Sequence, residues 1–200
     1  GIISSSLPMD KQGAHGTPQP TICLNMIVRN EAHVIADTLD SVAPCIDSWV
    51  IVDTGSTDDT MHVIRSWFAS RSIPGALYQR PWRNFGANRT EALQLCTGVA
   101  DYALVIDADD LLLGTPDLSG LTADSYLLRI GRDFVYWRKQ IFRTALPWRY
   151  VGVLHEYPVC DAPASEERLE GEYHVESRRL GARRAGPGKD KPDARLLQEA

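Results

Sequence analysis

The chain has 200 residues, of which 44% are hydrophobic and 24% are charged, and its formal net charge is −5. This length and apolar fraction are typical of one soluble domain with a hydrophobic core. The negative net charge argues against a nucleic-acid-binding protein, because such proteins need a basic surface to bind phosphates. No apolar run approaches the roughly 20 residues that span a bilayer, and no signal-peptide pattern is present, so we expect a cytoplasmic protein without a transmembrane segment.

The four cysteines are far apart in the sequence and form no Cys-x-x-Cys pair. Cys23 and Cys96 lie in apolar or helical patterns. This favours free, buried thiols in a reducing compartment over disulfides or a zinc site.

Apolar runs alternate with amphipathic segments along the first half of the chain. Four short runs, rich in β-branched and aliphatic residues, are typical of buried strands: 21–28, 49–52, 76–79 and 102–106. The segments between them have helical periodicity and begin near Ile35, Met61 and Ala87. This alternation predicts an α/β fold, Rossmann-like, with a mostly parallel central sheet and helices on both faces. No GxGxxG follows the first strand, so the dinucleotide-binding fingerprint is missing.

The pattern changes after the fourth strand. Residues 125–130, 134–137 and 139–142 predict antiparallel strands joined by short turns, with no helix between them. We therefore expect a small antiparallel second half beside the parallel sheet.

Three carboxylates, Asp107, Asp109 and Asp110, follow the fourth predicted strand directly. Ligands bind at the carboxyl ends of strands in open α/β sheets, so these acids are expected at the mouth of a crevice. Clustered carboxylates repel one another and are costly to bury unpaired, and a divalent cation bridging to a phosphate would offset both effects. The alternative is a solvated acidic turn that ends the strand.

Three further polar residues flank the same expected crevice. Asp53 ends the second predicted strand, and it either accepts hydrogen bonds from a base or ribose or closes an Asp-Thr-Gly-Ser turn; the sequence alone favours the turn. Arg83 and Arg89 flank the loop before the third helix. A guanidinium group suits phosphate oxygens well, although each arginine taken alone is more often a surface residue.

Taken together and in this order, the motifs resemble family 2 glycosyltransferases of the GT-A fold. They are Arg-Asn-Glu at 29–31, Asp-Thr-Gly-Ser-Thr-Asp at 53–58, Trp-Arg-Asn-Phe at 82–85 with Arg89, and Ile-Asp-Ala-Asp-Asp at 106–110. The resemblance runs from about Thr21 to Tyr157. It implies metal-dependent, inverting transfer of a sugar from a nucleotide-sugar, with Mn²⁺ or Mg²⁺ as the cofactor.

The resemblance also assigns roles to individual positions. The implied nucleotide-binding residues are Val28, Asn30, Glu31, Asp53, Arg89, Asp107 and Ala108. Within this set, Asp53 faces the base, Arg89 approaches the diphosphate and Asp107 points towards the ribose. The implied metal ligands are Asp107, Asp109 and His174, since Mn²⁺ accepts imidazole as well as carboxylate. A surface position is the alternative for His174.

An inverting transfer needs a base that takes the proton of the acceptor. In this family the base is a carboxylate in the second half of the domain, and Glu156 of the pair His155-Glu156 is our choice. Asp133 is the second choice. A hydrogen-bonded turn at a strand end is the structural alternative for this pair.

Two features leave alternatives open. Where many relatives have Ala-Arg-Asn, this chain has Asn88-Arg89-Thr90, so the arginine is retained but a donor-sugar or helix-cap contact of the following amide is in doubt. The basic cluster from Arg178 to Arg184 either closes over the diphosphate as a lid or is a solvated linker.

We expect a disordered leader at 1–20, a glycosyltransferase domain at 21–160 and a polar, basic tail at 161–200. The domain divides into a nucleotide-binding half, 21–110, and an acceptor half, 111–160. The tail resembles those family members that carry helical, tetratricopeptide-like repeats behind the catalytic domain.

The predicted function is that of a hexosyltransferase-type enzyme that uses a nucleotide-sugar, with a UDP-sugar favoured. Its acceptor, whether a saccharide, a lipid-linked glycan or a protein, is not identified, and no nucleic-acid partner is expected. The alternatives are a nucleotide-sugar-binding module without full activity and a nucleotidyltransferase. An aspartyl-nucleophile phosphatase is disfavoured, because its nucleophilic Asp usually follows the opening strand.

Overall fold

The structure, a computed structural model, describes residues 19–178. The elements of the first half are β1 (Ile22–Val28), α1 (Ile35–Val42), a short 3-10 helix (Ala43–Cys45), β2 (Ser48–Asp53), α2 (Thr60–Arg71), β3 (Gly75–Gln79), α3 (Phe85–Gln94) and β4 (Tyr102–Val105). The second half contains strands alone within the described range. They are β5 (Asp110–Gly114), β6 (Ser125–Ile130), β7 (Tyr136–Arg143), β8 (Trp148–Val151), β9 (Tyr157–Cys160), β10 (Glu166–Arg168) and β11 (Tyr173–Ser177).

Strand β1 is the centre of a parallel sheet with the strand order β3-β2-β1-β4. It pairs with β2 on one side, where Val28 faces Asp53, and with β4 on the other, where Asn25 faces Val105. Because these strands are parallel and in register, their carboxyl ends meet at one edge of the sheet. Polar residues that follow β1, β2 and β4 are therefore brought together at that edge.

Helices cover both faces of this parallel half. Alternate residues of β1, such as Leu24 and Met26, pack with Ile35 and Leu39 of α1 and with Ile64 of α2 in one apolar cluster. Cys23, on the opposite face of β1, belongs to a second cluster. It includes Cys23, Val50, Leu93, Cys96, Phe142 and Trp148. A strand covered on both faces must be apolar at nearly every position, which explains the nearly unbroken run that predicted β1.

The sheet continues beyond β4 as a mostly antiparallel half, in which β11 and β10 pair parallel with β6. Strand β7 pairs antiparallel with β4 and β6, and the order then continues through β11 to β5, while β10 pairs with β6. Strands β8 and β9 form a separate antiparallel hairpin. The predicted fold class, a mostly parallel sheet with helices on both faces and a smaller antiparallel half, is confirmed.

The prediction of two strands at 134–137 and 139–142 is wrong, because Tyr136–Arg143 forms one strand, β7. Arg138 lies inside this strand and pairs with Leu128 of β6. Its side chain is exposed, as expected for an alternate position of a half-buried strand. The charged residue Arg138, at an exposed position of the strand, was therefore mistaken for the end of one strand and the start of another.

Part of the segment predicted as a polar tail belongs to the central sheet. Strand β11 pairs antiparallel with β5, and its residues Tyr173 and Val175 are buried while Glu176 is exposed. This alternation with period two is short and lies among charged residues, which conceals it in the sequence. The predictions for residues 1–18, for Arg179 to Arg184 and for the rest of the tail fall outside the described residues. None of the helices in the described part of the chain has the length and apolar content needed to cross a bilayer.

Candidate active site

Asn30 joins the loops that follow β1 and β2. Its side-chain oxygen accepts hydrogen bonds from the backbone N–H of Thr57 at 2.8 Å and of Asp58 at 3.3 Å, and its own N–H donates to the Ser56 hydroxyl at 2.9 Å. Its φ of 53° lies in the left-handed region, which asparagine tolerates better than most residues. Asn30 therefore fixes both loops at the edge where a nucleotide was predicted to bind.

Val28 and Glu31 lie on either side of Asn30 and make backbone hydrogen bonds to the same loops. The Val28 carbonyl accepts hydrogen bonds from the N–H and the hydroxyl of Thr54, at 2.9 and 3.1 Å. The Glu31 N–H donates to the Thr60 hydroxyl at 2.9 Å, and its carbonyl accepts from Ile35 at the start of α1. Both side chains are buried at the carboxyl edge of the sheet.

The two carboxylate oxygens of Asp53 have different surroundings. Oδ1 accepts hydrogen bonds from the N–H groups of Gly55 and Ser56, each at 2.9 Å, which is the predicted turn. Oδ2 is buried, with no hydrogen-bond partner among the described residues. A buried acceptor without a donor is costly. One oxygen thus closes the turn, and the other is available to a ligand such as a base.

The acidic residues after β4 form a compact group. Ligand oxygens of Asp107, Asp109 and Asp110 all lie within 4.8 Å of one another. The Thr38 hydroxyl of α1 lies 2.6 Å from the carbonyl oxygens of Ala108 and Asp110, which holds the loop against the helix. Carboxylate oxygens are hard ligands of the kind that Mg²⁺ and Mn²⁺ prefer, so this donor set fits a divalent cation.

Arg178 also holds this acidic loop, and it contacts Thr38 as well, at 3.1 Å. Its backbone N–H and Nε both donate to the Asp109 carbonyl, at 3.3 and 3.2 Å. Its remaining nitrogens donate to Asp37 Oδ2 at 3.0 Å and to the Val34 carbonyl at 2.7 Å, both near the start of α1. The first arginine of the basic cluster is therefore part of the site's scaffold, a role that the sequence analysis missed. Its partner Asp37 lies 141 residues earlier in the chain, so no local pattern could reveal the contact.

His174 is not in the acidic group. On β11, Ser177 pairs with Asp110, whereas His174 pairs with Leu113. Three residues of antiparallel strand separate His174 from the position opposite Asp110, which corresponds to about 10 Å. The group of close oxygens in the described chain is completed by Asp110, which the sequence analysis named in the cluster but did not assign to the metal.

Arg89 is a buried cation beside the acidic group. Its side chain is 1% exposed and donates to the side-chain oxygen of Asn25, while Nε and Nη1 have no hydrogen-bond partner within the described chain. Nitrogens of a buried guanidinium that lack an acceptor suit an anionic ligand. Arg83 differs, because it is exposed and lies 3.7 Å from Glu91, which makes a surface ion pair.

Asn25 supports Arg89, and the sequence analysis missed it as well. It is fully buried, and its side-chain nitrogen donates to the carbonyls of Val50 and Ala92, at 3.0 and 2.9 Å. The carbonyl oxygen of the amide is thereby directed at Arg89. The sequence does contain a signal for this role, which is a single amide in an otherwise apolar strand. A buried amide must be hydrogen-bonded, so a polar partner for Asn25 could have been expected.

A cavity of about 400 Å³ lies next to these groups. Its lining includes Arg89, Asp107, Trp137, Gln140, Tyr150 and Glu156. The cavity therefore joins the end of β4 to the antiparallel half and to the β8–β9 hairpin. Asp133, the second choice for the base, is exposed in the turn between β6 and β7 and is not part of this lining.

Glu156 lines the cavity beside the start of α3. Its Oε1 accepts a hydrogen bond from the Gly86 N–H at 3.0 Å, and Oε2 is buried without a partner in the part of the chain that the structure describes. Burial raises the pKa of Glu156, and the hydrogen bond from Gly86 lowers it to a smaller extent. A Cβ atom at position 86 would lie 2.9 Å from Oε1, so a larger residue there would displace the Glu156 carboxylate from this position.

Thr90 connects α3 to the second half of the domain. Its hydroxyl accepts a hydrogen bond from the Tyr150 N–H at 2.9 Å. Thr90 occupies the position where many relatives have asparagine. In this chain it aligns β8, and with it one wall of the cavity, against the helix that carries Arg89.

Residues 23–121 match the family model described as glycosyl transferase family 2. The chain belongs to glycosyltransferase family 2. The matched part of the family 2 domain contains Asn30, Asp53, Arg89 and the acidic group, while Glu156 lies beyond it. Its architecture is the GT-A fold that the resemblance implied.

Relatives of this family 2 domain come from several bacteria. An uncharacterized glycosyltransferase of Rickettsia prowazekii (strain Madrid E) is 32% identical over 87 residues, which cover 44% of this chain and 27% of the relative. A TPR repeat-containing protein of Synechococcus elongatus is 34% identical over 99 residues, which cover 49% of this chain and 23% of the relative. The chain thus spans about a quarter of the length of these relatives.

Among solved structures, the mannosyltransferase PcManGT of Pyrobaculum calidifontis in complex with GDP-Man and Mn²⁺ is similar to this chain. It is 25% identical and has a TM-score of 0.42, and the match covers 48% of this chain and 29% of PcManGT.

Proposed function

We propose that this domain catalyses the metal-dependent transfer of a hexose from a UDP-sugar to an acceptor hydroxyl, with inversion at the transferred carbon. The observation that carries the proposal is that Asp107, the buried Arg89 and Glu156 line one cavity. Oxygens of Asp109 and Asp110 lie within 4.8 Å of a ligand oxygen of Asp107. Membership of family 2 supports the class of reaction.

The leaving diphosphate gains negative charge as the glycosidic bond breaks, and this charge must be stabilised. Asp107, Asp109 and Asp110 would hold the divalent ion, which supplies positive charge next to the diphosphate when it is bound. Arg89 supplies a second positive charge. Its Nε and Nη1, which have no hydrogen-bond partner among the described residues, suit phosphate oxygens, and its burial strengthens the interaction.

The nucleoside would lie at the carboxyl ends of β1 and β2. Asp53 Oδ2, which has no partner within residues 19–178, would accept a hydrogen bond from an N–H of the base. Val28, Asn30 and Glu31 would complete the pocket. The two hydrogen bonds to Asp53 Oδ1 orient the carboxylate for this contact.

Glu156 would act as the base. The acceptor hydroxyl transfers its proton to Oε2 while its oxygen attacks the anomeric carbon and the bond to the diphosphate breaks on the opposite face. Burial raises the pKa of Glu156, and a base works best when its pKa lies closer to the working pH. The Gly86 hydrogen bond holds the other oxygen and so fixes the direction of Oε2.

Calorimetric titration with UDP and with GDP, each with and without Mn²⁺, tests this proposal. We expect Mn²⁺-dependent binding that is tighter for UDP than for GDP. The variant Asp109→Ala should lose the Mn²⁺ dependence, while Asp117→Ala, at an exposed position after β5, should bind as the wild type does. Undiminished affinity of Asp109→Ala for UDP with Mn²⁺ would contradict the metal site, and no binding of either nucleotide would contradict the proposed function.

A nucleotide-sugar-binding module without turnover would give the same titration. Release of UDP from a UDP-sugar, measured with and without candidate acceptors, separates the two. A domain that binds UDP with Mn²⁺ but releases no UDP from any donor would favour the binding module.

A further inference from the structure

A β-bulge in β7 sets the position of Gln140. Tyr126 and Leu127 are neighbours in β6, yet they pair with Ile141 and Lys139 of β7. Gln140 is therefore the additional residue of the bulge. Bulges bend a strand and redirect side chains, and they are frequent next to active sites.

The side chain of Gln140 is buried in the cavity wall. The residue is 4% exposed, and its amide oxygen has no hydrogen-bond partner among the residues described. A buried amide oxygen without a donor is costly, and such groups in native structures call for an explanation. The same cavity is lined by Arg89, Asp107 and Glu156.

The proposed chemistry determines what occupies this cavity. The anomeric carbon must lie between the diphosphate, at Arg89 and the acidic group, and the acceptor oxygen, at Glu156. The ring of the transferred sugar therefore lies in the cavity that Gln140 faces. Its hydroxyl groups can donate hydrogen bonds to an amide oxygen that has no partner among the described residues.

We propose that Gln140 is a specificity-determining residue, whose amide oxygen accepts a hydrogen bond from a hydroxyl of the sugar being transferred. This inference rests on the proposed function. A neutral amide suits the position, because it neither competes for the metal ion nor adds a charge beside Glu156. A polar site built to pair with a hydroxyl discriminates strongly against sugars that lack it.

The variant Gln140→Leu tests the inference, because leucine removes the amide and retains most of the volume. We expect the affinity for UDP with Mn²⁺ to stay within about 2-fold of wild type, since UDP carries no transferred sugar. With the best donor among UDP-glucose, UDP-galactose and UDP-N-acetylglucosamine, kcat/KM should fall about 10- to 100-fold, the usual effect of one such hydrogen bond. Gln94→Leu, at an exposed position at the end of α3, is the matched control.

Donors deoxygenated at single positions sharpen the test. For the wild type, kcat/KM should be lower with the deoxy donor that lacks the contacted hydroxyl than with the complete donor. For Gln140→Leu, the two donors should differ little, because the effects of removing two interacting groups are not additive. If Gln140→Leu unfolds, Gln140→Asn, which withdraws the amide by one methylene, is measured in the same way.

Unchanged kcat/KM with every donor, or an equal loss of UDP and UDP-sugar binding in a folded variant, would overturn the role of Gln140. Wild-type protein that binds no UDP would instead overturn the proposed function, and this inference with it. The two failures are therefore distinguishable.

Discussion

At the scale of single residues, three of the predicted site side chains divide their polar atoms between the fold and the cavity. One oxygen of Asp53 closes a turn, and one oxygen of Glu156 accepts the Gly86 N–H. One nitrogen of Arg89 donates to Asn25. Each side chain keeps at least one buried atom without a partner among the described residues. The satisfied atom fixes the orientation of the group, and the other atom is left for a ligand, which is the preorganisation that catalysis requires.

The variant Glu156→Gln tests the role of the base. Glutamine retains the oxygen that accepts from Gly86 but cannot take a proton, so we expect intact binding of UDP with Mn²⁺ and transfer that falls at least about 10²-fold. Glu167→Gln, at an exposed position of β10, is the control. Normal turnover of Glu156→Gln would move the base to another residue.

The pH dependence gives a second readout of the same group. The base must be ionised, so kcat/KM of the wild type should fall as the pH decreases through the pKa of Glu156. Because burial raises this pKa, the fall should begin above the ordinary range for glutamate. Residual activity of Glu156→Gln should lack this acidic limb.

At the scale of elements, the site is assembled from loops that distant elements hold in place. The acidic loop after β4 is held by Thr38 of α1 and by Arg178, which follows β11, and these two side chains also contact each other. Helix α3 is tied to β8 through Thr90. These contacts connect the parallel half to the antiparallel half, so the cavity between them has defined walls.

Arg178→Leu tests the scaffold of the acidic loop. Arg178 contacts the Asp109 backbone and α1, so its loss should weaken Mn²⁺ binding by about 10-fold or more, the usual effect of losing an outer-shell support. Direct titration with Mn²⁺ measures this without reference to activity. Arg178→Lys should restore part of the affinity through the Asp37 pair, and Arg149→Leu, an exposed arginine of β8, is the control. Equal Mn²⁺ affinity of Arg178→Leu and wild type would exclude the positioning role.

Thr90→Val tests the junction between α3 and β8. Valine has nearly the same shape but leaves the Tyr150 N–H without its acceptor, so the free energy of unfolding should fall by about 1 kcal/mol. Chemical denaturation measures the change. Thr90→Ser retains the hydroxyl and should cost less; equal stability of the valine variant and wild type would show that the hydrogen bond contributes nothing net.

At the scale of the whole molecule, the helices enclose β1 from both faces, and its alternate residues lie in two separate cores. Cys23 and Cys96 are both fully buried in the core beneath α3, and their sulfurs lie 3.8 Å apart as free thiols. The predicted burial of both side chains is thereby confirmed. Cys45 and Cys160 are half-buried.

Thiol labelling reports on the integrity of this core. In native protein, we expect a thiol reagent to modify Cys45 and Cys160 first, and Cys23 and Cys96 only as the domain unfolds. Mass spectrometry of peptides after labelling, with and without denaturant, measures the order. Rapid labelling of Cys23 in native protein would contradict the packing of β1 between two layers.

The parallel half could be predicted from the local sequence, because strands that are buried on both faces appear as apolar runs. The polar residues at the ends of these strands could be placed too, because they directly follow the runs in the sequence. Asp53, Asp107 and Asp109 could be placed at one edge of the sheet on this basis, although their roles towards a ligand stay predictions. The extent of β7 and the presence of β11 could not be read in this way. Charged residues at exposed positions interrupt both patterns.

Only the tertiary structure decided which polar groups are hydrogen-bonded within the described chain and which are left for a ligand. The Asn25 amide contacts Arg89, which lies 64 residues later in the sequence, and Arg178 contacts α1, 141 residues earlier. The bulge at Gln140 forms only because β7 pairs with β6. Such contacts join residues that share no local periodicity. Whether a polar atom is paired or free depends on the packing of every element around it, and that packing exists only once the chain has folded.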